Sequence, residues 1–317
     1  LSRHSEVLDA VLGGGFFTPW PKVPGLADQL GRQLDRTMTA HDGGYERALD
    51  LVRRWVHEWQ FRIGVHHLRG LIGSDEAGQQ YADVADATLS ALFPLVAQEF
   101  ARRHGPPPGR GAVLVGMGSL GARMLNSGSD LDLIVIYDSD GQEGSDGPRP
   151  LSTRPYYARL TQAMITALSA PTATGRAYEV DMRLRPSGRQ GPVATSIQSF
   201  RDYQMTEAWT WEHLALTRSR VVAGCGADSS DLAAGFEALR TEILSARGQD
   251  ARVLPDLAAM RARIFAAKPG EGKPGAKLGR GRLQDIELFA QSCALRAGSG
   301  AAGALAVVPT ESAAFLT

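Results

Sequence analysis

Two aspartates that stand two positions apart, Asp130 and Asp132, lie at the head of the apolar run Leu131–Tyr137. The run predicts a β-strand, and residues i and i+2 of a strand point to the same face. Both carboxylates are therefore expected to point the same way, and two like charges held together raise each other's pKa. A hard divalent cation such as Mg²⁺, bound by carboxylates and phosphate oxygens, resolves that conflict.

A third carboxylate follows about fifty residues later. The alternation of charged and apolar residues predicts a strand over Tyr178–Arg185, with Glu179, Asp181, Arg183 and Arg185 on one face. If this strand neighbours the first one, Asp181 completes a set of three carboxylates. The two arginines would then reach toward phosphates as bidentate donors.

A glycine-rich turn precedes the aspartate pair and allows two interpretations. Gly116, Gly118 and Gly121 form G-x-G-x-x-G after a predicted strand, and Asp138 follows about twenty residues later, as in a dinucleotide-binding fold. However, the helix after these glycines has barely two turns before Asn126-Ser-Gly-Ser stops it, whereas the crossover helix of a dinucleotide-binding fold is usually longer.

The second interpretation is a metal-dependent nucleotidyltransferase. Ser119 begins the short helix, where backbone N–H groups and the helix dipole favour a phosphate. Gly-Ser, ten further residues and Asp-x-Asp is the layout of such an enzyme. Taken with the third carboxylate, this layout favours phosphoryl chemistry over a nicotinamide or flavin enzyme.

The elements that must position these residues divide the chain into helical and strand-rich parts. Apolar residues recur at helical spacing up to about residue 103, and Gly105-Pro-Pro-Pro-Gly-Arg then breaks every helix. Short strands follow, over Ala112–Val115 and the two runs above, and after Pro186 the chain is expected to be helical again, including a helix over Glu207–Arg220. The expected divisions are an N-terminal helical segment (1–105), a catalytic core (106–200), a C-terminal helical domain (201–297) and a poorly ordered tail (298–317).

Composition narrows the classes of partner. The 317 residues hold 34 Lys and Arg against 34 Asp and Glu, so no net field favours nucleic acid or an anionic membrane. Cys225 and Cys293 form neither a disulfide framework nor a zinc motif, which predicts a cytoplasmic location. No apolar run is long enough for a membrane span, and the start of the chain has no apolar region behind a basic one, so no signal peptide is expected. Because the first residue is not Met, we expect the chain to be a piece of a longer polypeptide.

Four stretches, in order, resemble the motifs of the glutamine synthetase adenylyltransferase family. The resemblance extends from about Ser2 to Leu295. The motifs are Gly116–Ile134, Tyr178–Gly188, Glu207–His213 with Arg218–Gly224, and Lys277-x7-Asp285-Ile-Glu287.

The resemblance implies both a fold and an activity. The fold is α+β, with a polymerase-β-like nucleotidyltransferase core around a small mixed sheet, flanked by N-terminal helices and a C-terminal helical bundle. The family has two homologous halves: the C-terminal half transfers AMP from ATP to a tyrosine of glutamine synthetase, and the N-terminal half removes it by phosphorolysis. Ser129-Asp-Leu-Asp, Arg185-Pro-Ser-Gly and Glu207-Ala-Trp-Thr-Trp-Glu-His resemble the C-terminal half, so the other half is expected to be missing here. PII signal protein is the regulator that the family implies.

The site residues follow from the motifs together with this resemblance. The expected catalytic and metal-binding residues, holding two Mg²⁺ ions, are Asp130, Asp132 and Asp181. The expected phosphate-binding residues are Gly118, Ser119, Arg123, Ser129, Arg183 and Arg185. The expected accessory residues are Glu207, Glu212, Lys277, Asp285 and Glu287.

Two departures from the family keep other interpretations open. The family usually has Lys where this chain has Ser119, and Gly-Gly where it has Gly281-Arg282, so we expect an altered loop before Asp285. The alternatives are the phosphorolytic half, a nucleotidyltransferase acting on PII, and an inactive regulatory module, although the intact carboxylate set argues against the last. Trp209 and Trp211 are expected to be core residues rather than an adenine stack.

Overall fold

The computed structural model describes residues 15–41, 43–267 and 281–298, and these residues form ten α-helices and one five-stranded sheet. No helix within these ranges is long and apolar enough to cross a bilayer. The helices are α1 (Lys22–Thr39), α2 (Tyr45–Leu68), α3 (Ser74–His104), α4 (Gly118–Gly121), α5 (Thr153–Ser169), α6 (Ile197–Thr206), α7 (Thr210–Leu216), α8 (Ser229–Gly248), α9 (Val253–Ala267) and α10 (Leu283–Ala297). The strands are β1 (Gly111–Gly116), β2 (Leu131–Asp138), β3 (Val180–Asp181), β4 (Thr195–Ser196) and β5 (Arg220–Cys225).

The chain from Lys22 to His104 consists mainly of helices, as predicted. Leu26, Leu30 and Leu34 stand four apart on α1 and are all buried, so one stripe of this helix packs against α2 and α3. Helix α3 ends at Gly105, whose φ of 87° favours glycine, and the prolines that follow lead the chain into the sheet.

The sheet is small and mixed, with the strand order β3-β2-β1-β5. Strand β1 pairs antiparallel with both β2 and β5, whereas β3 and β4 pair parallel with the two ends of β2. The α+β class and the mixed sheet expected from the sequence are thus confirmed. A dinucleotide-binding fold is excluded, because its first two strands are parallel and joined by a full crossover helix.

Helices cover both faces of the sheet. Ala112 and Leu114 of β1 pack with the N-terminal helices and α5, whereas Val113 and Val115 pack with α6, α7, α8 and α10. This is why β1 and most of β2 are apolar without alternation. Even-numbered positions of β2 face the C-terminal helices, so Asp132 lies on that side.

Two predicted elements differ from those observed. The predicted strand Tyr178–Arg185 forms a ladder only at Val180–Asp181, because the Asp181 side chain accepts a hydrogen bond from the Arg183 N–H (2.8 Å) and turns the chain. The helix predicted over Glu207–Arg220 is also too long.

That helix is confined to α7, and the chain then forms β5. Strand β5 lies between two predicted helices of the C-terminal helical domain, where Val221 and Val222 favour a strand and pair with β1. The C-terminal segment therefore contributes an edge strand to the central sheet.

Candidate functional site

The three aspartates meet at the N-terminal end of β2. The parallel register of β2 and β3 pairs Leu131 with Val180 and Asp132 with Asp181, so the last two project to the same face of the sheet. Asp130 precedes β2 and shares the parity of Asp132. The adjacency of the two predicted strands is confirmed, even though the second is short.

The glycine turn lies directly against Asp132. The Met117 N–H donates to the Asp132 carbonyl (2.9 Å), and Gly118 follows with φ 53°. A Cβ atom at Gly118 would be 2.5 Å from Oδ2 of Asp132. Glycine at this position therefore allows the backbone to approach the carboxylate, whereas a side chain would prevent so close an approach.

The charges of the three carboxylates act on one another. Burial and then the negative charges of Asp181 and Asp130 raise the pKa of Asp132 to about 6, while Arg183 and Arg218 oppose the rise. Asp130 itself is exposed to solvent. This is the conflict that the spacing of the aspartates predicts.

Asp181 has a different partner. The guanidinium of Arg183 forms an ion pair with Oδ2 of Asp181, and Nε of Arg183 donates to the same oxygen at 2.6 Å. Burial raises the pKa of Asp181, but the hydrogen bonds and charge of Arg183 outweigh it, so this pKa lies below its ordinary value. Asp181 is consequently ionised at neutral pH.

The donor chemistry of the site suits Mg²⁺. Within the described ranges, no three His, Cys, Asp or Glu side chains converge as a preformed metal cage, and Asp181 is engaged by Arg183 instead. Mg²⁺, however, is usually bound by only one or two carboxylates together with substrate phosphates. The mutual repulsion at Asp132 is the observation that favours a cation here.

The two predicted phosphate-binding serines flank these carboxylates in the chain. Ser119 is the second residue of α4, next to Gly118, and is half-buried. The hydroxyl of Ser129 accepts a hydrogen bond from the Asn126 N–H (2.9 Å) and so closes the turn that leads into Asp130.

Two of the predicted phosphate-binding arginines have other partners. Arg123 forms ion pairs with Asp83 (2.6 Å) and Asp86 (3.4 Å) of α3. Arg185 donates to three backbone carbonyls of its own loop, those of Met182 (2.7 Å), Arg189 (3.1 Å) and Gly191 (3.2 Å). Arg123 thus links the segment after α4 to α3, and Arg185 stabilises the loop after β3.

A buried ion pair that the sequence analysis missed supports the glycine turn from behind. Nη2 of Arg220 donates to Asp86 (2.7 Å) and to the carbonyl of Leu120 (3.0 Å), and its Nε donates to the carbonyl of Gly121 (3.2 Å). Helix α3 thereby holds α4 in place. The available signal was an aspartate pair, Asp83 and Asp86, within the largely apolar stretch Tyr81–Leu89 of this helix.

The accessory residues of the third motif are separated by the structure. Glu212 is buried and accepts from the Trp209 N–H (3.0 Å) and the Tyr203 hydroxyl (2.9 Å), so it begins α7 as a structural cap. Glu207 is exposed after α6. Trp209 and Trp211 are 66% and 39% exposed, so the expectation that they belong to the core is wrong.

The fourth motif belongs to α10. Asp285 is held by Arg261 (2.7 Å) and accepts from the Gly281 N–H (2.7 Å), whereas Glu287 faces Arg218 at 3.7 Å. Gly281 takes the left-handed conformation, with φ 71°, and Arg282 is extended, with φ −95°, so the arginine is not strained there. Lys277 lies outside the described residues, and so do residues 299–317 of the predicted tail.

Arg218 is a candidate site residue that spacing alone did not indicate. It follows α7, and its carbonyl oxygen packs so closely on Gly121 that a Cβ there would be 2.0 Å away. Its guanidinium is buried, and its charge acts on both Glu287 and Asp132. The only available signal was its place in a stretch that resembles the third family motif.

Comparison with known proteins is consistent with this geometry. The family model for glutamate-ammonia ligase adenylyltransferase matches residues 1–234. The chain is 42% identical to a bifunctional glutamine synthetase adenylyltransferase/adenylyl-removing enzyme of Mesorhizobium japonicum, over 95% of this chain and 30% of that protein. It is 44% identical to the enzyme of the same name from Rhizobium meliloti, over 93% of this chain and 29% of that protein. The chain thus spans about 30% of the length of these curated relatives.

Proposed function

The chain belongs to the glutamate-ammonia ligase adenylyltransferase family, and from this premise we propose that it transfers AMP from ATP to a tyrosine of glutamine synthetase. The observation that carries the proposal is the parallel pairing of β2 with β3, which sets Asp132 beside Asp181 next to the glycine turn. The polymerase-β-like description of the core, predicted from the sequence, belongs to this proposal.

The reaction is an in-line displacement at the α-phosphorus. The tyrosine oxygen forms a bond to this phosphorus while the bond to the α–β bridging oxygen breaks, and pyrophosphate leaves with that oxygen. Asp181 accepts the tyrosine proton, because it is ionised at neutral pH and adjoins Asp132.

Arg183 makes Asp181 a weaker base while the two are paired. The Arg183 side chain is 64% exposed, so moving it to a phosphate costs little desolvation. Once its partner has moved, Asp181 becomes a stronger base. Arg183 thus connects nucleotide binding with activation of the tyrosine hydroxyl.

Asp130, Asp132 and Asp181 would hold Mg²⁺, which when bound supplies positive charge against the triphosphate and the leaving pyrophosphate. Gly118, Ser119 and Arg183 are the phosphate-binding residues that we retain, since they adjoin the carboxylates. Ser129, Arg123 and Arg185 support the surrounding loops through the contacts described above.

The proposal is tested by the intact mass of glutamine synthetase after incubation with this chain, ATP and Mg²⁺. We expect an added mass of one AMP, on a tyrosine, and no adduct with Asp132→Asn or Asp130→Asn. An adduct that forms equally well with the Asp132 variant would contradict the site assignment.

The assignment to the adenylylating half rests on the motif Ser129-Asp-Leu-Asp and its companions. Incubating this chain with pre-adenylylated glutamine synthetase and inorganic phosphate tests this assignment. Release of ADP without forward transfer would identify the phosphorolytic half, and transfer to PII instead would identify a different target. Regulation by PII, the missing other half and the cytoplasmic location are further parts of the proposal.

A further inference from the structure

Two of the three arginines assigned to the triphosphate from the sequence are engaged elsewhere. Arg123 pairs with α3 and Arg185 is tied to carbonyls of its own loop, so Arg183, which is paired with Asp181 until nucleotide binds, is the one retained. A triphosphate carries several negative charges, and binding it requires cationic donors near Asp132. Another arginine meets this description.

Arg218 is a buried cation with incomplete pairing. Its side chain is only 9% exposed, and its Nε is buried without a hydrogen-bond partner. Among the described residues its charged neighbour is Glu287, at 3.7 Å, which is longer than a hydrogen bond. A buried guanidinium usually has its donors satisfied, because leaving them unmet costs free energy.

Arg240 shows by contrast why Arg218 is distinctive. The side chain of Arg240 is also 9% exposed and one of its nitrogens also lacks a partner, but Nε of Arg240 donates to Glu237 at 2.7 Å. Arg218 has no such close partner among the described residues, and its charge acts on Asp132.

The position of Arg218 connects it with the nucleotide site. Its backbone packs on Gly121, the last residue of the turn that contains Ser119. Its charge acts on Asp132, which lies on the side of the sheet that the C-terminal helices cover. Glu287 reaches it from α10, so the C-terminal helices take part in holding it.

We propose that Arg218, positioned by Glu287, binds a phosphate oxygen of the nucleotide beside Asp132. This inference rests on the proposed function for the identity of the nucleotide, but it requires only a polyphosphate anion. A hydrogen bond to a charged group supports the expectation of a 10- to 100-fold effect on affinity (~1.5–3 kcal/mol per bond).

The test is isothermal titration calorimetry of the full chain with ATP, inorganic tripolyphosphate and adenosine, each in the presence of Mg²⁺. We expect Arg218→Gln to weaken binding of ATP and tripolyphosphate about 10- to 100-fold and to leave adenosine binding unchanged. Arg240→Gln, the matched control, should bind all three as the wild type does. Glu287→Gln should bind tripolyphosphate at least as tightly as the wild type, because the amide still lies beside the guanidinium while the negative charge that competes with the phosphate is removed.

The double variant Arg218→Gln with Glu287→Gln protects the test against misfolding, because it does not leave the half-buried Glu287 carboxylate without its cation. It should show the same selective loss. Unchanged affinity for ATP and tripolyphosphate in both Arg218 variants overturns the inference, and so does an equal loss of adenosine binding, which would indicate a structural role.

The wild type distinguishes this inference from the proposed function. If it binds tripolyphosphate but not ATP, and Arg218→Gln abolishes that binding, the anion site stands and adenylyl transfer does not. If ATP binds and reacts but Arg218→Gln has no effect, adenylyl transfer stands and the Arg218 site does not. If the wild type binds neither anion, both are overturned.

Discussion

The residues of the site are not individually optimised for stability. Asp132 is largely buried beside two other carboxylates, so its ionised form is costly in the folded protein. Such a cost is characteristic of residues kept for function, since the protein would be more stable with a neutral side chain at this position. The same reasoning applies to the incompletely paired guanidinium of Arg218.

Replacing Asp132 by Asn is expected to stabilise the metal-free chain at neutral pH. The pKa of Asp132 is about 6 in the folded protein and near 3.8 in the unfolded reference state. Below about pH 4 the carboxyl is protonated in both states, so stability is unaffected. As the pH rises from about 4 through 6 the unfolded state ionises first, and the folded protein loses stability. Asp132→Asn should therefore raise the free energy of unfolding by about 2 kcal/mol at pH 7.5 in EDTA, and by almost nothing at pH 4.

Urea denaturation at both pH values measures this difference, and circular dichroism checks that the two proteins share one fold. An equal difference in the free energy of unfolding at pH 4 and pH 7.5 would mean that the pKa of Asp132 is not raised in the folded protein. Adenylyl transfer by the same variant should be absent, so that stability and activity change in opposite directions.

At the scale of elements, a four-residue helix is held between two larger layers. Arg220 joins the carbonyls of α4 to Asp86 of α3, while the Arg218 carbonyl packs against Gly121 of the same turn. The turn also approaches β2 closely enough that Gly118 touches the Asp132 carboxylate. The precision of the site therefore depends on backbone contact as well as on charged side chains.

Gly118→Ala is expected to disable the site while leaving the fold intact. The new methyl group would lie 2.5 Å from Oδ2 of Asp132, at a backbone φ of 53° that costs about 1 kcal/mol for a non-glycine residue. The displaced carboxylate should lower the rate of adenylyl transfer about 100-fold.

Gly31→Ala is the matched control. Gly31 lies inside α1 with nothing within 4 Å of the added Cβ, so this change should leave the rate unaltered and add about 0.5–1 kcal/mol of stability. Rates and thermal unfolding of the two variants give the comparison. A Gly118→Ala protein as active as the wild type would show that Asp132 is not confined by the turn.

At the scale of the whole molecule, the helical layers and the sheet share their cores. One apolar cluster joins α1, α2, α3 and α5 to one face of the sheet, and a second joins the C-terminal helices to the other face. The predicted boundary near residue 105 is a clear break in the chain, but it crosses a continuous core.

A fragment of residues 106–298 is therefore expected to be unable to fold alone. Removing the N-terminal helices would uncover Ala112, Leu114 and Leu133 on one face of the sheet and would take away Asp86, the partner of Arg220. We expect the fragment to aggregate or to bind a hydrophobic dye. The chain beginning at residue 15 should give a sharp unfolding transition and serves as the control. A cooperative transition in the shorter fragment would show that the core folds independently.

The sequence alone determined the local chemistry of this protein. The spacing of Asp130 and Asp132, the glycines before them and the charged residues around Asp181 were sufficient to predict a cluster of carboxylates, because strand alternation depends only on local backbone geometry. Four ordered motifs indicated the family, which the comparisons confirmed.

Only the tertiary structure decided which side chain pairs with which. Arg123, Arg183 and Arg185 have the same chemistry in the sequence, but their partners come from α3, from β3 and from their own loop. Strand β5 is likewise formed by pairing with a strand about a hundred residues away. Arg218 meets Glu287 because α10 packs against α7 and α8, and a contact between distant segments is not encoded in local spacing.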